Sequence, residues 1–197
     1  MTVTADTATV MAMAALLFTL LAVVVTGFGA RDQALLAAMV ARQGARPMLL
    51  LMAGVTGIVS VIAAIWLSQV IAAALPAPAR QLFVAIALAL AGLEMLLLTR
   101  RPVPREPTHS LGAFAVVLLA GQVTDAVRFV AMGMAVASRA PLLTALGAGA
   151  AVLALAVAAW MAGDLMRHPH VMQLRRVLGL VVFLGAILLG LRALGLV

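Results

Sequence analysis

The stretch TGFGARDQALLAAM (Thr26 to Met39) sets an arginine and an aspartate, Arg31 and Asp32, side by side within an oily segment. Residues 11–25 before it are almost wholly apolar, and residues 34–41 after it form a second apolar run. As one straight helix, residues 11–41 would extend roughly 46 Å, against about 30 Å of bilayer hydrocarbon. Such a segment must tilt, protrude or break, and Gly27 and Gly29 mark its weakest point. With residues 18–41 embedded, Asp32 falls near mid-depth. An ionised side chain there costs about 3 kcal/mol even on lenient insertion scales, so the pair must meet something polar.

Composition names lipid as the solvent. Of 197 residues, 66% are hydrophobic and 10% charged, too little polar surface for a water-soluble domain. No alternating barrel pattern appears, so the fold class is all-α: an integral membrane bundle. All 13 basic residues are arginine, and the formal net charge is +7. They sit mostly between apolar runs, where they orient spans, which argues against nucleic acid as a partner. The lipid bilayer is the expected partner, and a homo-oligomer is compatible with the sequence. Cysteine is absent, which excludes disulfides and thiolate metal sites. The opening MTVTADTATV lacks a positive n-region, so the first span is expected to be retained.

Six transmembrane helices can be read, within residues 11–41, 48–74, 82–98, 111–138, 142–162 and 177–197. Each reaches the roughly 17–20 residues needed to cross hydrocarbon. RQGARP, PAPAR, RRPVPREPTHS, RAP and GDLMRHPHVMQLRR separate them. Loops after spans one, three and five hold eight arginines: Arg42, Arg46, Arg100, Arg101, Arg105, Arg167, Arg175 and Arg176. The other side holds three, Arg80, Arg139 and Arg192. This bias puts the odd-numbered loops in the cytoplasm and both termini outside.

The halves look related. Pro47 to Pro141 and Trp66 to Trp160 are each 94 residues apart. Residues 1–99 therefore read as a first three-helix repeat, 100–109 as a cytoplasmic Arg/Pro-rich linker, and 110–197 as a second repeat. An odd number of spans inverts the second copy, and inverted repeats place a solute site at the midplane. Span four has its own charged stretch, AGQVTDAVRF, with Gln122, Thr124, Asp125 and Arg128. In one continuous helix Gln122, Asp125 and Arg128 share a face. One reading of the two stretches is a structural salt bridge that pins the halves together. The other is a midplane pathway for an ion or solute, lined by Asp32, Gln33, Gln122, Thr124 and Asp125.

At these motifs the chain resembles the small six-span cation/proton antiporter family typified by transmembrane protein 165 and its yeast Gdt relative. That family has two inverted three-span repeats, each with a motif of the form E-x-G-D-[KR]-[ST]-Q. GFGARDQALLAA looks like the first motif: Gly27 stands at the Glu, Gly29 at the Gly, Ala30 at the Asp, Arg31 at the Lys/Arg, Asp32 at the Ser/Thr and Gln33 at the Gln. QVTDAVRFVA looks like the second, with Gln122 at the Glu, Thr124 at the Gly and Asp125 at the Asp; Ala126, Val127 and Arg128 take the remaining positions.

The resemblance implies a secondary transporter exporting Mn²⁺ or Ca²⁺ in exchange for protons. Asp125 would be the principal ligand or proton carrier, with Asp32 as the other metal-binding carboxylate. Gln122, Thr124 and Gln33 would add oxygens, and Arg31 and Arg128 would hold the aspartates between turnovers. No resident cofactor is implied, only transported Mn²⁺ or Ca²⁺. The family pattern carries four acids and two bases across its motifs, whereas here two acids face two bases. Mn²⁺ and Ca²⁺ want several oxygen ligands with carboxylates among them. A net charge of zero also suits an amino acid or other zwitterion, and a non-transporting scaffold is a third reading.

Other residues read more plainly. Glu94 is expected to snorkel to the interface or pair with Arg100 and Arg101, with a pathway role as the alternative. Asp164, Arg167, His168 and His170 read as a solvated loop, since two histidines across a proline lack a third metal ligand. Met11, Met13, Met132 and Met134 read as span packing. Gly54, Gly57, Gly147, Gly149, Ala186 and Gly190 mark close helix contacts. No nucleophile–base pair or phosphate loop stands out, so the chain is not expected to be an enzyme.

Overall fold

The computed structural model describes residues 2–97 and 110–196, without the side chains of residues 2–8, 12, 164 and 167, and its regular structure there is all helical. The helices are α1 (Thr2–Gly27), α2 (Arg31–Gln43), α3 (Pro47–Ala74), α4 (Ala77–Leu97), α5 (Leu111–Val123), α6 (Ala126–Ser138), α7 (Pro141–Ala162) and α8 (Pro169–Ala193). A short 3-10 turn, Gly163–Arg167, joins α7 to α8. The arginine-rich segment read as a linker, residues 100–109 with Arg100, Arg101 and Arg105, lies outside the described residues.

Among the described residues, five helices are long and apolar enough to cross a membrane: Thr9–Gly27 of α1, then α3, α4, α7 and α8. The pair α5 and α6, bent by 54° at its break, makes a sixth if counted as one span. Proline starts α3, α7 and α8, at the position where its missing N–H is an orphan anyway. The polarity is that of a lipid-facing bundle. Phe18, Trp66 and Leu142 are 64%, 70% and 73% exposed, while Ser60, Gln122, Asp125, Arg128 and Arg175 are buried. A water-soluble monomer shows the reverse distribution.

One expected break is present and three expectations need amending. Residues 11–41 are not one rod: α1 ends at Gly27 and α2 begins at Arg31, so the chain breaks where the glycines allow it. Residues 111–138, by contrast, are not continuous. The Thr124 hydroxyl turns back onto the carbonyls of Ala120 and Gly121, and Asp125 takes extended backbone and caps α6, as short polar side chains do when they compete with a helix. The third long helix starts at Ala77, ahead of the expected residue 82, because Pro78 lies in its first turn, where proline is tolerated. The last helix starts at Pro169 instead of 177, which draws Arg175 out of the supposed loop and into a helix.

Glycines set the packing. Gly54 lies against Leu153 and Gly149 against Ile58, so α3 and α7 run antiparallel. A Cβ at Gly179 would lie 2.6 Å from that of Met95, one at Gly92 would lie 2.7 Å from the Phe183 backbone nitrogen, and Gly190 faces Ala85. Hence α4 and α8 are antiparallel too, with their backbones in close approach. Gly147 meets the Leu16 carbonyl, which seats α1 on α7.

The main apolar core joins Val23 of α1, Val61 of α3, Val127 and Ala131 of α6, and Ala148 and Val152 of α7. A second joins α2, α3, α5 and α7 around Leu36, Leu49, Leu118 and Ala159. Helix α1 packs on α7 and α5 on α3, while α2 packs on α7 and α6 on α3. Helix α4 also packs on α6, and α8 makes no comparable contact with α2.

Candidate functional site

Where a helix breaks away from water, its freed backbone groups must find partners inside the protein. At the first break Gly29 adopts φ +66°, a conformation that glycine takes without steric cost. The buried Gln33 side chain closes the turn. Its Oε1 accepts the Gly29 N–H at 3.0 Å, and its Nε2 donates to the Gly27 carbonyl at 2.6 Å. The Gly29 carbonyl accepts from Nη1 of Arg175, which reaches across from α8.

The second break is closed by carboxylates. Asp125 Oδ1 accepts the Val127 N–H at 3.5 Å, and Glu94 Oε2, from α4, accepts the Ala126 N–H at 3.0 Å. Both anions lie at the N-terminus of α6, where the helix dipole favours negative charge.

The two breaks meet at Arg128. Its Nη1 is 3.6 Å from Asp125 Oδ2 and 3.7 Å from Asp32 Oδ2, and its Nε donates to Ser60 Oγ at 3.0 Å. Asp32, in the first turn of α2, also accepts the Gln33 N–H at 2.8 Å through Oδ1. The carboxylate separations exceed hydrogen-bond length, so the guanidinium is held by charge more than by direct bonds. Beside it lies a cavity of about 20 Å³ lined by Asp32, Gln33, Gln122, Arg128 and apolar residues that include Leu118 and Leu155. Room for one water takes about 10–15 Å³ by that measure. Gln122 Oε1 and Arg128 Nη2, on two lining residues, are buried with no protein partner.

The structure thus brings Asp32, Asp125, Gln122, Gln33 and Arg128 together. Three roles expected from the sequence change. Thr124 is exposed, its hydroxyl spent on its own helix, so it adds no oxygen here. Gln122, Asp125 and Arg128 converge across a break instead of along one helix face. Arg31 does not hold an aspartate: its Nε lies 3.8 Å from Glu94 Oε1.

Glu94 accordingly ties the first break to the second, which is neither of the roles expected for it; Arg100 and Arg101, its expected partners, lie outside the described residues. Gln33 lines the cavity while both ends of its amide hold the turn. Ser60 and Arg175 were not singled out as site residues. The signal for Arg175 was Pro169, which starts a helix six residues earlier; Ser60 offered only a lone hydroxyl in an apolar run.

His168 and His170 are exposed at the start of α8, with rings stacked 4.7 Å apart, and the side chains of Asp164 and Arg167 lie outside the described residues. Met11 and Met13 face outward while Met132 is buried, so these methionines form no common site. No group of three or more His, Cys, Asp or Glu side chains that could hold a metal ion occurs among the described residues. The two aspartates flank a guanidinium, not a vacant position. Around the breaks, Arg31, Arg128 and Arg175 balance Asp32, Glu94 and Asp125, three charges against three. The chain matches no family model, no curated protein and no solved structure.

Proposed function

We propose that this chain is a multi-pass protein of the inner membrane, with six spans in two inverted three-helix halves, and that it works as a secondary transporter rather than an enzyme. One observation carries the reading: two interrupted helices open onto a single buried charged cluster with a water-sized cavity beside it. Irregular backbone and intramembrane charge are both costly, and transporters use them together at substrate sites. The antiparallel pairing of α3 with α7 and of α4 with α8 supports the inverted halves. The arginine bias supports cytoplasmic odd-numbered loops and outer termini. It stands at seven against three once Arg175, buried inside α8, is taken from the eight.

By resemblance the solute is Mn²⁺ or Ca²⁺, exported in exchange for protons, with Asp32 and Asp125 as its carboxylates and Gln122 as a further oxygen. A second reading, export of an amino acid or other zwitterion, is favoured by the balance of three guanidinium groups against three carboxylates. Purified protein in vesicles, assayed with a pH gradient for Mn²⁺, Ca²⁺ and amino acid flux, separates them. Cation flux that Asp125→Asn abolishes supports the first, and flux of amino acids without cations supports the second. Cation flux at the unaltered rate in Asp125→Asn would falsify the role given to Asp125. No flux of any solute, with a partner protein that co-purifies, would favour a scaffold.

A further inference from the structure

We propose that Arg128 is a resident counter-cation which occupies the place of the transported ion, so that guanidinium and divalent cation compete for Asp32 and Asp125. This rests on the cation reading and adds a switch to it. A group that belonged permanently between the buried Asp125 and the partly buried Asp32 would be expected to make short charge-assisted bonds, about 2.7–2.9 Å long. The Arg128 guanidinium instead stands off at 3.6 and 3.7 Å and, among the described residues, donates a hydrogen bond only to Ser60, at 3.0 Å.

The contact is loose on both sides. Arg128 is 4% exposed and Gln122 2%, yet Nη2 of the first and Oε1 of the second have no protein partner. An unmet donor and an unmet acceptor beside one cavity are groups that a water or an entering ligand can engage. Removing the guanidinium leaves Asp32 and Asp125 with a charge of −2, the complement of a dication. Asp32, Asp125 and Gln122 then supply the hard oxygen atoms that Mn²⁺ and Ca²⁺ prefer, while Ser60 only holds the guanidinium. With the guanidinium in place the same carboxylates are partly neutralised, and an entering ion must displace a covalently attached rival. That competition would set the affinity of the site and keep it neutralised when the ion has left.

The test is equilibrium binding of Mn²⁺, and separately Ca²⁺, to the purified full chain, wild type against Arg128→Gln and Ser60→Ala. Losing the guanidinium charge beside two carboxylates should tighten binding by about tenfold or more in Arg128→Gln. Ser60→Ala loosens Arg128 without removing it and should shift affinity the same way by a smaller factor. Asp125→Asn added to Arg128→Gln should abolish the gain. Wild type that binds the ions, with neither variant binding them tighter, overturns the competition and leaves cation transport standing. Absence of binding in wild type and both variants overturns the cation reading itself. Should Arg128→Gln fail to fold, the direction of the Ser60→Ala shift decides: tighter binding supports the competition, and equal or weaker binding overturns it.

Discussion

The break between α1 and α2 is built on glycine, and the break between α5 and α6 on threonine and aspartate. At the first, the N-cap position of α2 is Ala30, which offers no side-chain acceptor. Gln33 must reach back one turn, and Arg175 must arrive from α8, 146 residues along the chain. At the second, Asp125 caps α6 itself, and the outside help is one carboxylate from the adjacent α4. Both arrangements satisfy backbone groups at a helix interruption. They differ in how much of the solution is local. Integrity of the glycine break depends on a single long-range guanidinium, whereas the aspartate break carries its own stop and start signals.

The largest expected effect follows from that dependence. Arg175→Ala leaves the Gly29 carbonyl buried without its donor and should destabilise the fold by about 2–3 kcal/mol. Glu94→Ala unpairs the Ala126 N–H and releases Arg31, which is itself half exposed, so the loss should be nearer 1–2 kcal/mol. Glu94→Gln keeps an acceptor for Ala126 and should cost less than Glu94→Ala. Unfolding of the purified protein by heat or by a denaturing detergent gives the ranking. Equal losses for Arg175→Ala and Glu94→Ala would show that the two breaks lean equally on their remote partners.

The glycine break was legible in the sequence and the aspartate break was not, for a physical reason. Gly27 and Gly29 interrupt an apolar run too long for one crossing, and glycine at such a point weakens a helix whatever surrounds it. Gln122, Asp125 and Arg128 are spaced by three, which suits a continuous helical face as well as a cap. Spacing cannot tell an aspartate that caps a helix from one in the middle. The convergence of Asp32 with Asp125 follows the expectation drawn from their places in the two stretches read as a repeat. The bridge between them is Arg128 alone, because Arg31 points to Glu94. Nothing in the order of residues announces that Glu94 meets an amide 32 positions away. Arg175 was hidden by its neighbours, since His168, His170, Gln173 and Arg176 make the segment read as a loop.

Two smaller effects sharpen the contrast. Gly29 holds φ +66° with Arg175 Cδ 3.5 Å from where a Cβ would lie, so Gly29→Ala should cost about 1–2 kcal/mol through backbone strain. At the other break Asp125→Asn and Asp125→Ala both remove the charge, but asparagine still accepts the Val127 N–H. The difference between these two variants isolates the cap and should be about 1 kcal/mol in favour of asparagine. Equal stabilities would mean that Glu94 alone starts α6.

The smallest effect is expected at Thr124, and its smallness is informative. The Thr124 hydroxyl bonds at 3.2 Å to the carbonyls of Ala120 and Gly121 within its own helix, and the side chain faces outward. Asp125 and Glu94 still close the break when that hydroxyl is gone. Thr124→Val should therefore change stability by less than about 0.5 kcal/mol, the range of exposed positions that anchor nothing. On the proposed cation reading, Mn²⁺ and Ca²⁺ binding should equal that of the wild type, measured on the same preparations. A marked loss of binding in Thr124→Val would return the hydroxyl to the site, which requires α5 to turn about its axis as the ion enters. A loss of stability without a loss of binding would instead show that the break is held from the α5 side, and that its resemblance to a self-capped turn is superficial.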